Sequence, residues 1–281
     1  MTTNDSPVLR VAGRPVGRYV TRPELPDRLS PRPYLHPVTT LAGTAVTELS
    51  PADHTHHLGV GVAVPDVEGH NFWGGRTFVR DQGPTELDNH GAQRHTSFLL
   101  REPDGFVEEL RWVAAGVELL RERRTVAATE LTDTAWALDF TFSLTNVTPG
   151  LLSIGSPATN GRPGAAYGGF FWRARKEHTA PHVFTADREG EGEVHGTRAD
   201  WLALAGSTWT LVLAGATDAT RHDPWFVRTA EYPGVGSSLA HEARLPVPPG
   251  ETVLRRVVTV VADGGLGPDE AAALVRKAVH R

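Results

Sequence analysis

The sequence predicts an all-β protein, a large antiparallel β-sandwich followed by a short C-terminal helix. Three observations support this fold class. Strand patterns dominate the chain, several strands follow one another without a helical insert, and only one segment has strong helix signals. A length of 281 residues suits one domain, because large all-β folds of this size are common. With no repeat and no linker composition, residues 1–281 are expected to form a single β-sandwich domain.

Further strands are expected near the start of the chain and in its last third. Residues 8–20 have the pattern of a hairpin that turns at Ala12-Gly13. Residues 208–213 and 252–261 are rich in β-branched side chains, which favour strands because they fit a pleated surface. These runs therefore predict further strands of the sandwich.

The strongest strand signal lies in the middle of the chain. In residues 136–145, large apolar side chains alternate strictly with small or polar ones, and this period of two buries one face of a strand. Residues 106–113 and 117–131 precede it as two more strands, joined around Gly116. Three long consecutive strands predict an antiparallel meander.

Helix signals are concentrated at the C-terminal end. A helix is expected over about residues 268–280, because proline stands at its start, acidic residues follow in the first turn and basic residues lie in the last. This charge order suits the helix dipole.

Composition excludes several chemistries. The chain has no cysteine, which excludes a thiolate nucleophile, disulfides, cysteine-ligated zinc and iron–sulfur clusters. Its only lysines are Lys176 and Lys277, so a Schiff base could form at just two positions. The net charge is −5 without a basic tract, so nucleic acid is not expected as a partner. No Gly-X-Ser-X-Gly elbow, Walker loop or Rossmann fingerprint occurs.

Targeting signals are not found in the sequence. No stretch approaches the ~20 apolar residues that a membrane helix needs. The first seven residues lack the charged and apolar regions of a signal peptide. We therefore expect a cytoplasmic protein with no membrane partner. Homodimerisation through a sheet edge or the C-terminal helix is left open.

Histidines cluster in one part of the chain, with seven of the thirteen in residues 36–95. On a strand, His54 and His56 would project to one face roughly 7 Å apart and His57 to the other. Two imidazoles on one face suit an acid–base pair or a divalent metal, and Asp53 could orient one ring. The spacing matches no standard zinc motif. Histidines satisfied by backbone groups are the alternative.

Two further segments carry polar and aromatic side chains. His90 lies in a short run that also contains asparagine, glutamine and arginine. Phe72 and Trp73 are adjacent, and an exposed aromatic pair beside polar groups can form a platform on which a sugar stacks. A core aromatic pair at the end of a strand is the alternative.

Six short motifs follow one another in a fixed order along the chain. They are Arg32-Pro33-Tyr34, Asp53-His54-Thr55-His56-His57, Gly69-His70-Asn71-Phe72-Trp73, Gly168-Gly169-Phe170-Phe171-Trp172-Arg173, Arg198-Ala199-Asp200-Trp201 and Arg221-His222-Asp223-Pro224-Trp225-Phe226-Val227-Arg228. The ordered series resembles the PmoA-like family, which is named after a supposed methane oxygenase subunit. The resemblance covers about residues 32–262, and it departs from the family pattern at Thr55, where the family has proline.

The resemblance implies a fold like that of galactose mutarotase, a supersandwich with a broad groove lined by histidine, arginine and acidic residues. It also implies a sugar or an oxidised sugar as the small-molecule partner, by analogy at the level of the fold. The methane oxygenase label does not follow from these residues. A membrane copper oxygenase subunit needs spanning helices, and the sequence has none.

Sugar ring-opening, epimerisation and β-elimination each need a base, an acid and a group that holds a hydroxyl or carbonyl. Histidine can supply the base or the acid near neutral pH, and arginine can stabilise developing negative charge. The candidate catalytic residues are His54, His56, His57, His90 and His222. The candidate substrate-binding residues are Trp73, Arg173, Arg198, Trp201, Trp225 and Arg228.

Three hypotheses follow for the function. The favoured one is an isomerase, epimerase or lyase that acts on a sugar or oxidised sugar by histidine acid–base chemistry. The second is a non-catalytic carbohydrate-binding protein that uses the same groove. The third is a metal-dependent oxygenase or hydrolase with a His/carboxylate site. No cofactor is required by the sequence, and if a divalent metal takes part, its expected ligands are His54, His56 and His90.

Overall fold

The computed structural model describes residues 6–280. Residue 281 and residues 1–5 lie outside the described residues, and with them most of the segment on which the signal-peptide prediction rests. The described chain is all-β and antiparallel, with a short C-terminal helix. The predicted fold class is therefore confirmed.

Strands make up most of the regular structure of the described residues. In chain order they are β1 (Val8–Val11), β2 (Arg14–Val20), β3 (Tyr34–Val38), β4 (Val60–Ala63), β5 (Asp66–Val67), β6 (Thr77–Val79), β7 (Gly83–Thr85), β8 (Gly91–Glu102), β9 (Gly105–Ala114), β10 (Val117–Glu130), β11 (Ala135–Asn146), β12 (Leu152–Gly155), β13 (Gly169–Arg173), β14 (His182–Phe184), β15 (Leu202–Ala205), β16 (Trp209–Gly215), β17 (Trp225–Arg228), β18 (Gly234–Ser237), β19 (Leu245–Val247) and β20 (Thr252–Asp263). The α-helices are α1 (Glu191–Val194), α2 (Asp218–His222) and α3 (Pro268–Val279), and a 3₁₀ turn spans Asp27–Leu29.

Two large antiparallel sheets form the sandwich. The first has seven strands in the order β1-β2-β3-β4-β13-β18-β17, and the second has eight in the order β14-β15-β16-β20-β11-β10-β9-β8. Smaller sheets, β19-β12-β5 and β6-β7, lie beside them. The main core is shared between the large sheets: Phe140 of β11 meets Phe170 of β13 at 5.4 Å between ring centroids. The two sheets therefore bury a common apolar layer.

The strand predictions agree with the structure. The hairpin forms as β1 and β2, and Ala12 and Gly13 turn with φ of 47° and 79°. The meander forms as β9, β10 and β11, which pair in sequence order. Along β11 the alternating large apolar side chains are the buried ones, because they face the core and their neighbours face outward. The remaining predicted runs correspond to β16 and β20.

Helix α3 begins and ends within two residues of its predicted bounds. Gly267 precedes it, and the backbone N–H of Gly267 donates to Glu270 at 3.1 Å. The apolar face of α3, which carries Ala271 and Val275, packs on the outer surface of the eight-stranded sheet. The helix therefore gives part of that sheet a second apolar layer. None of the helices among residues 6–280 has the length and apolar character needed to cross a bilayer.

A buried ionic network links the two large sheets. Arg124 of β10 donates to Glu122 at 2.7 Å and to the hydroxyl of Tyr19, on β2, at 2.8 Å. The Tyr19 hydroxyl in turn donates to Glu108, whose other carboxylate oxygen lies 2.6 Å from Nδ1 of His95. Tyr19, Glu108, Glu122 and Arg124 are all shielded from solvent. Each charge therefore has a partner, and the network connects β2 of one sheet with β9 and β10 of the other.

Candidate functional site

A cleft of about 400 Å³ lies on the seven-stranded sheet, on the face turned away from the main core. Side chains alternate along β13, so Phe170 and Trp172 face the core while Phe171 and Arg173 lie beneath the cleft. The loops at this end of the sheet supply the walls. The cleft is lined by Asp53, His54, His56, His57, Trp73, Gly74, Arg76, Pro84, Arg162, Ala165, Tyr167, Phe226, Arg228, Glu231 and Tyr232.

The histidine segment forms two turns instead of a strand. The N–H of His54 donates to the carbonyl of Pro51, and the N–H of His57 donates to that of His54, each at 2.9 Å. Ser50 closes the loop, because its N–H donates to the His57 carbonyl at 2.8 Å. Turns gather side chains that a strand would send to opposite faces. His57 therefore lies on the same side as its two neighbours.

The three imidazoles pack against one another. His54 stacks on His57 with ring centroids 4.5 Å apart, and His56 contacts His57 edge-on at 4.8 Å. Tyr232 meets the His54 ring at 4.5 Å and the His57 ring at 5.0 Å. His57 is almost wholly buried, whereas the side chain of His54 keeps 31% of its surface exposed. Of the three imidazoles, His54 is the one with a carboxylate beside it, since Asp53 Oδ2 lies 3.3 Å from its Nδ1.

Asn71 and two glycines shape the loop that faces His56. The Asn71 side-chain oxygen accepts from the N–H groups of Trp73 and Gly74 at 2.8 and 2.9 Å. Gly74 has a φ of +99°, and a Cβ there would lie 2.8 Å from Cβ of His56. A Cβ on Gly75, at φ +70°, would lie 3.0 Å from the imidazole of His56. These positions need glycine because the backbone passes directly beside the ring.

Burial and neighbouring charge keep two of the imidazoles neutral. Burial first, and then the charge of Arg32, lowers the pKa of His56 from 6.5 to about 3. Burial also lowers the pKa of His57 well below its usual value, and the neighbouring imidazoles add to the effect. At neutral pH both rings are therefore uncharged and can accept a hydrogen bond.

We expect the neutral state of His56 to make stability depend on pH. The unfolded chain binds a proton on this imidazole below pH 6.5, whereas the folded chain binds it only near pH 3. The unfolded state therefore holds more protons between those values, so the free energy of unfolding falls as the pH drops through this window. Urea denaturation of His56→Gln should show a shallower fall than the native chain from pH 6.5 to about 3. Parallel curves would contradict this assignment.

Arg32 holds the walls of the cleft together from below. Its side chain is 4% exposed, and it belongs to the first of the six sequence motifs. The guanidinium donates to four backbone carbonyls, those of Leu29 (3.2 Å), Ser30 (3.0 Å), Trp73 (2.9 Å) and His56 (2.6 Å). Three separate segments are therefore joined at one side chain. Burial, and then the charge of Arg124, lowers the pKa of Arg32 to about 9.

Arg173 lies beneath the cleft, and it does not line it. This side chain is fully buried and donates to Glu48 at 2.7 and 3.0 Å. Its Nη1 lies 3.5 Å from Nδ1 of His57, and its guanidinium lies 4.8 Å above the Tyr232 ring. The predicted substrate-binding arginine therefore contacts His57 and Tyr232, which it holds in place.

Sequence reasoning missed two tyrosines of the cleft. Tyr232 lies in the turn between β17 and β18, and burial is the main cause that raises its pKa above the usual value. Tyr167 packs on Trp73 at 4.6 Å, and burial likewise raises its pKa. Tyr167 directly precedes the motif that begins at Gly168, and this position in the sequence marks it as a candidate site residue. Nothing in the local sequence marks Tyr232.

Arginines stand around the cleft. The predicted Arg228 lines it, donates to the carbonyls of Val227 and Gly164 at 2.9 and 3.1 Å, and lies 3.8 Å from Glu191. Arg76 and Arg162 also line the cleft and are exposed. Arg76 pairs with Glu86 at 3.0 Å. The rim is thus more cationic than the sequence motifs alone indicated.

Trp73 lines the cleft but presents little surface, because it is only 4% exposed. Its ring packs on Phe171 at 4.8 Å and on Tyr167. The adjacent Phe72 is fully buried in the main core. The aromatic pair therefore matches the core alternative better than the exposed stacking platform.

Five other predicted residues lie outside the cleft. His90 bonds through Nε2 to the carbonyl of Gly75 at 2.8 Å, behind the loop that faces His56. His222 ends α2 and bonds back to Asp218, and its carbonyl accepts from the exposed Arg198 at 2.8 Å. Trp201 packs in the apolar layer between α3 and the eight-stranded sheet, and Trp225 is buried in the main core. The four residues His222, Arg198, Trp201 and Trp225 thus have local structural partners.

The structure gives no support for a divalent metal on His54, His56 and His90. Within residues 6–280, no group of three or more His, Asp or Glu side chains is placed to hold a metal ion. The rings of His54 and His56 lie 5.8 Å apart between centroids, but no third ligand of the described residues completes the set. The Nε2 of His90 is already bonded to a backbone carbonyl.

Comparison with known proteins finds a family and distant structural similarities. The model of a family of unknown function, DUF6807, matches residues 6–276. No curated protein matches the chain. Similar solved structures include a mutant of heparan sulfate lyase HepC from Pedobacter heparinus (12% identity, TM-score 0.32, covering 65% of this chain and 24% of that one), heparinase III (9%, 0.30, 66% and 23%) and a polysaccharide lyase (11%, 0.39, 99% and 35%). The chain spans between 23% and 35% of the length of these structures. Similarities this low do not assign a function.

Proposed function

Because the chain belongs to DUF6807, a family of unknown function, we propose its activity from the cleft itself: acid–base catalysis on a sugar or an oxidised sugar, as a lyase or an isomerase. One observation carries the proposal. An imidazole flanked by a carboxylate, His54 beside Asp53, meets a protonated phenol, Tyr232, at 4.5 Å between rings in a cleft of about 400 Å³. That volume suits a small ligand. The resemblance to the PmoA-like family stays a prediction.

His54 is the proposed base. Asp53 Oδ2 lies 3.3 Å from His54 Nδ1, so a proton taken up by the ring is stabilised by the adjacent carboxylate. Burial works to raise the pKa of Asp53, but the contacts with His54 and Arg173 outweigh it and hold the pKa below its usual value. Asp53 therefore stays ionised at neutral pH. This is the charge state that supports a histidine base.

Tyr232 is the proposed acid. Burial is the largest cause that raises its pKa, and the adjacent Tyr167 adds to it, so the phenol keeps its proton at neutral pH. The side chain lines the cleft and lies against the rings of both His54 and His57. A base and an acid thus lie side by side, with the guanidinium of the buried Arg173 4.8 Å from the centre of the Tyr232 ring.

This pair suits two related reactions. In an elimination, His54 takes the proton from the carbon next to a carbonyl or carboxylate, a carbon–carbon double bond forms, and Tyr232 donates its proton to the departing oxygen. In an isomerisation, His54 takes the same proton while Tyr232 protonates the carbonyl oxygen, which gives an enediol; the other hydroxyl then returns its proton to Tyr232 as His54 delivers a proton to the neighbouring carbon. Both need a neutral base and a protonated acid in one site.

Proton abstraction can be tested before the product is known. The purified protein is incubated in D₂O with uronic acids, their glycosides and keto-sugars, and NMR follows loss of the C–H signal next to the carbonyl or carboxylate. We expect exchange or conversion of at least one compound class, with absorbance from a new carbon–carbon double bond if the reaction is an elimination. Binding without exchange for every class would overturn the proposal and favour the carbohydrate-binding alternative.

A further inference from the structure

Arg32 is a buried cation without an ionic partner. Its guanidinium donates only to backbone carbonyls, and no carboxylate of the described residues forms an ion pair with it. The neighbouring charge that acts on it most is another cation, Arg124. A buried charge is ordinarily paired, because removing it from water is unfavourable. An unpaired one beside a cleft therefore calls for a negative charge from elsewhere.

The other buried arginines of the same region show the contrast. Arg173 is fully buried and has Glu48 at 2.7 Å. Arg124 is fully buried and has Glu122 at 2.7 Å. Arg32 is equally shielded, yet its partners are neutral carbonyls, two of which belong to cleft residues, His56 and Trp73. The unmatched charge thus lies directly behind the cleft wall.

The cleft itself adds positive charge. Arg76, Arg162 and Arg228 line it, against the two carboxylates Asp53 and Glu231. Of these arginines, Arg76 pairs with Glu86 outside the lining and Arg228 lies 3.8 Å from Glu191, whereas no ion pair involves Arg162 within the described residues. The pKa values of His56 and His57 are lowered, so these imidazoles add no charge of their own at neutral pH. Opposite charges attract strongly where water is excluded. An anionic ligand would meet cationic groups both at the mouth and behind the wall.

We propose that the cleft binds a sugar that carries a negatively charged group, and that this group is the counter-charge of Arg32. The inference rests on the proposed function for the sugar, and on the charge distribution for the anion. A carboxylate is the group we favour, because it also acidifies the adjacent C–H that His54 is proposed to deprotonate. Phosphate and sulfate esters are also negatively charged, and the binding test below distinguishes them from a carboxylate.

Equilibrium binding to the native protein tests the inference without any variant. The probes are methyl β-D-glucuronide and methyl β-D-glucoside, which differ only at the carboxylate, together with glucose 6-phosphate and glucose 6-sulfate. Calorimetry at low ionic strength should show about ten-fold tighter binding of the glucuronide than of the glucoside, and the difference should shrink in high salt. Equal binding of the two glycosides would overturn the carboxylate proposal, and preference for phosphate or sulfate would reassign the anion.

Variants then assign the preference to Arg32. R32Q should lose most of the discrimination between the two glycosides, whereas R32K, which keeps the charge, should retain part of it. R14Q removes an exposed arginine on β2 and should bind both glycosides as the native protein does. Thermal unfolding identifies any variant that fails to fold, and if R32Q does so, R32K carries the test through its partial loss of discrimination, which R14Q should not show. Unchanged discrimination in folded R32Q would contradict the role of Arg32.

The binding test and the activity test can fail independently of each other. If the glucuronide binds selectively but no proton exchange occurs, the anion inference stands and the proposed catalysis falls. If exchange occurs on neutral keto-sugars and the two glycosides bind equally, the catalysis stands and the anion inference falls. Each measurement therefore decides one statement.

Discussion

Replacing His54 by Gln is expected to lower kcat about 10²- to 10⁴-fold while KM changes little, because the variant removes the proposed proton acceptor and keeps a polar side chain of similar size. Steady-state kinetics on the substrate identified by the exchange assay measure this change in kcat.

Tyr232→Phe removes only the phenolic hydroxyl, the proposed proton donor, and should reduce elimination most strongly for substrates with poor leaving groups. Both effects should act on kcat more than on KM.

His182→Gln is the matched control for the histidine substitution. His182 is exposed on β14 and bonds to Glu189 at 2.8 Å, and it does not line the cleft. We expect full activity in this variant and an unchanged thermal unfolding temperature. If folded His54→Gln also keeps full activity, His54 is not the base.

Replacing Arg124 by Ala should destabilise the protein by about 3–5 kcal/mol, the second large effect we expect. Arg124 is fully buried and bonds to Glu122 and Tyr19, so its removal leaves the buried Glu122 and Glu108 without their cation. Urea denaturation measures the change in the free energy of unfolding. Adding Glu122→Leu to the Arg124 variant should recover part of the loss, because it removes one of the unpaired charges.

Arg121→Ala tests whether burial is the cause. Arg121 lies three residues earlier on the same strand, and its side chain is 55% exposed and pairs with Glu118 at 3.0 Å. An exposed ion pair contributes at most about 1 kcal/mol, so this variant should be nearly as stable as the native chain. Equal destabilisation of the two variants would mean that the network contributes no more than a surface pair.

The fold could be predicted because its signals are local. The alternation in residues 136–145 follows directly from the strand geometry that buries every second side chain of β11. The proline and the acidic residues at the start of α3 likewise favour the helix through contacts within its first turn. These features depend on neighbours in the sequence, so a single sequence contains them.

The site could be predicted only in part, because its geometry depends on residues far apart in the chain. The histidine cluster was recognised from its composition, but its turns are held by Ser50 and by Arg32, whose bonds no local pattern reveals. Tyr232 reaches His54 across 178 residues of sequence because the turn after β17 lies at the same end of the sheet. His222, by contrast, has a motif but bonds within its own short helix.

The cleft has a buried floor and an exposed rim, and these two parts differ in how well they tolerate amino-acid substitutions. His57 and Arg173 belong to the floor, where a substitution leaves buried partners unsatisfied and lowers stability. Arg76 and Arg162 are exposed on loops, where most substitutions change stability little. Under the proposed function, substitutions on the rim alone can therefore change which sugar is accepted, while the buried floor beneath His54 and Tyr232 stays in place.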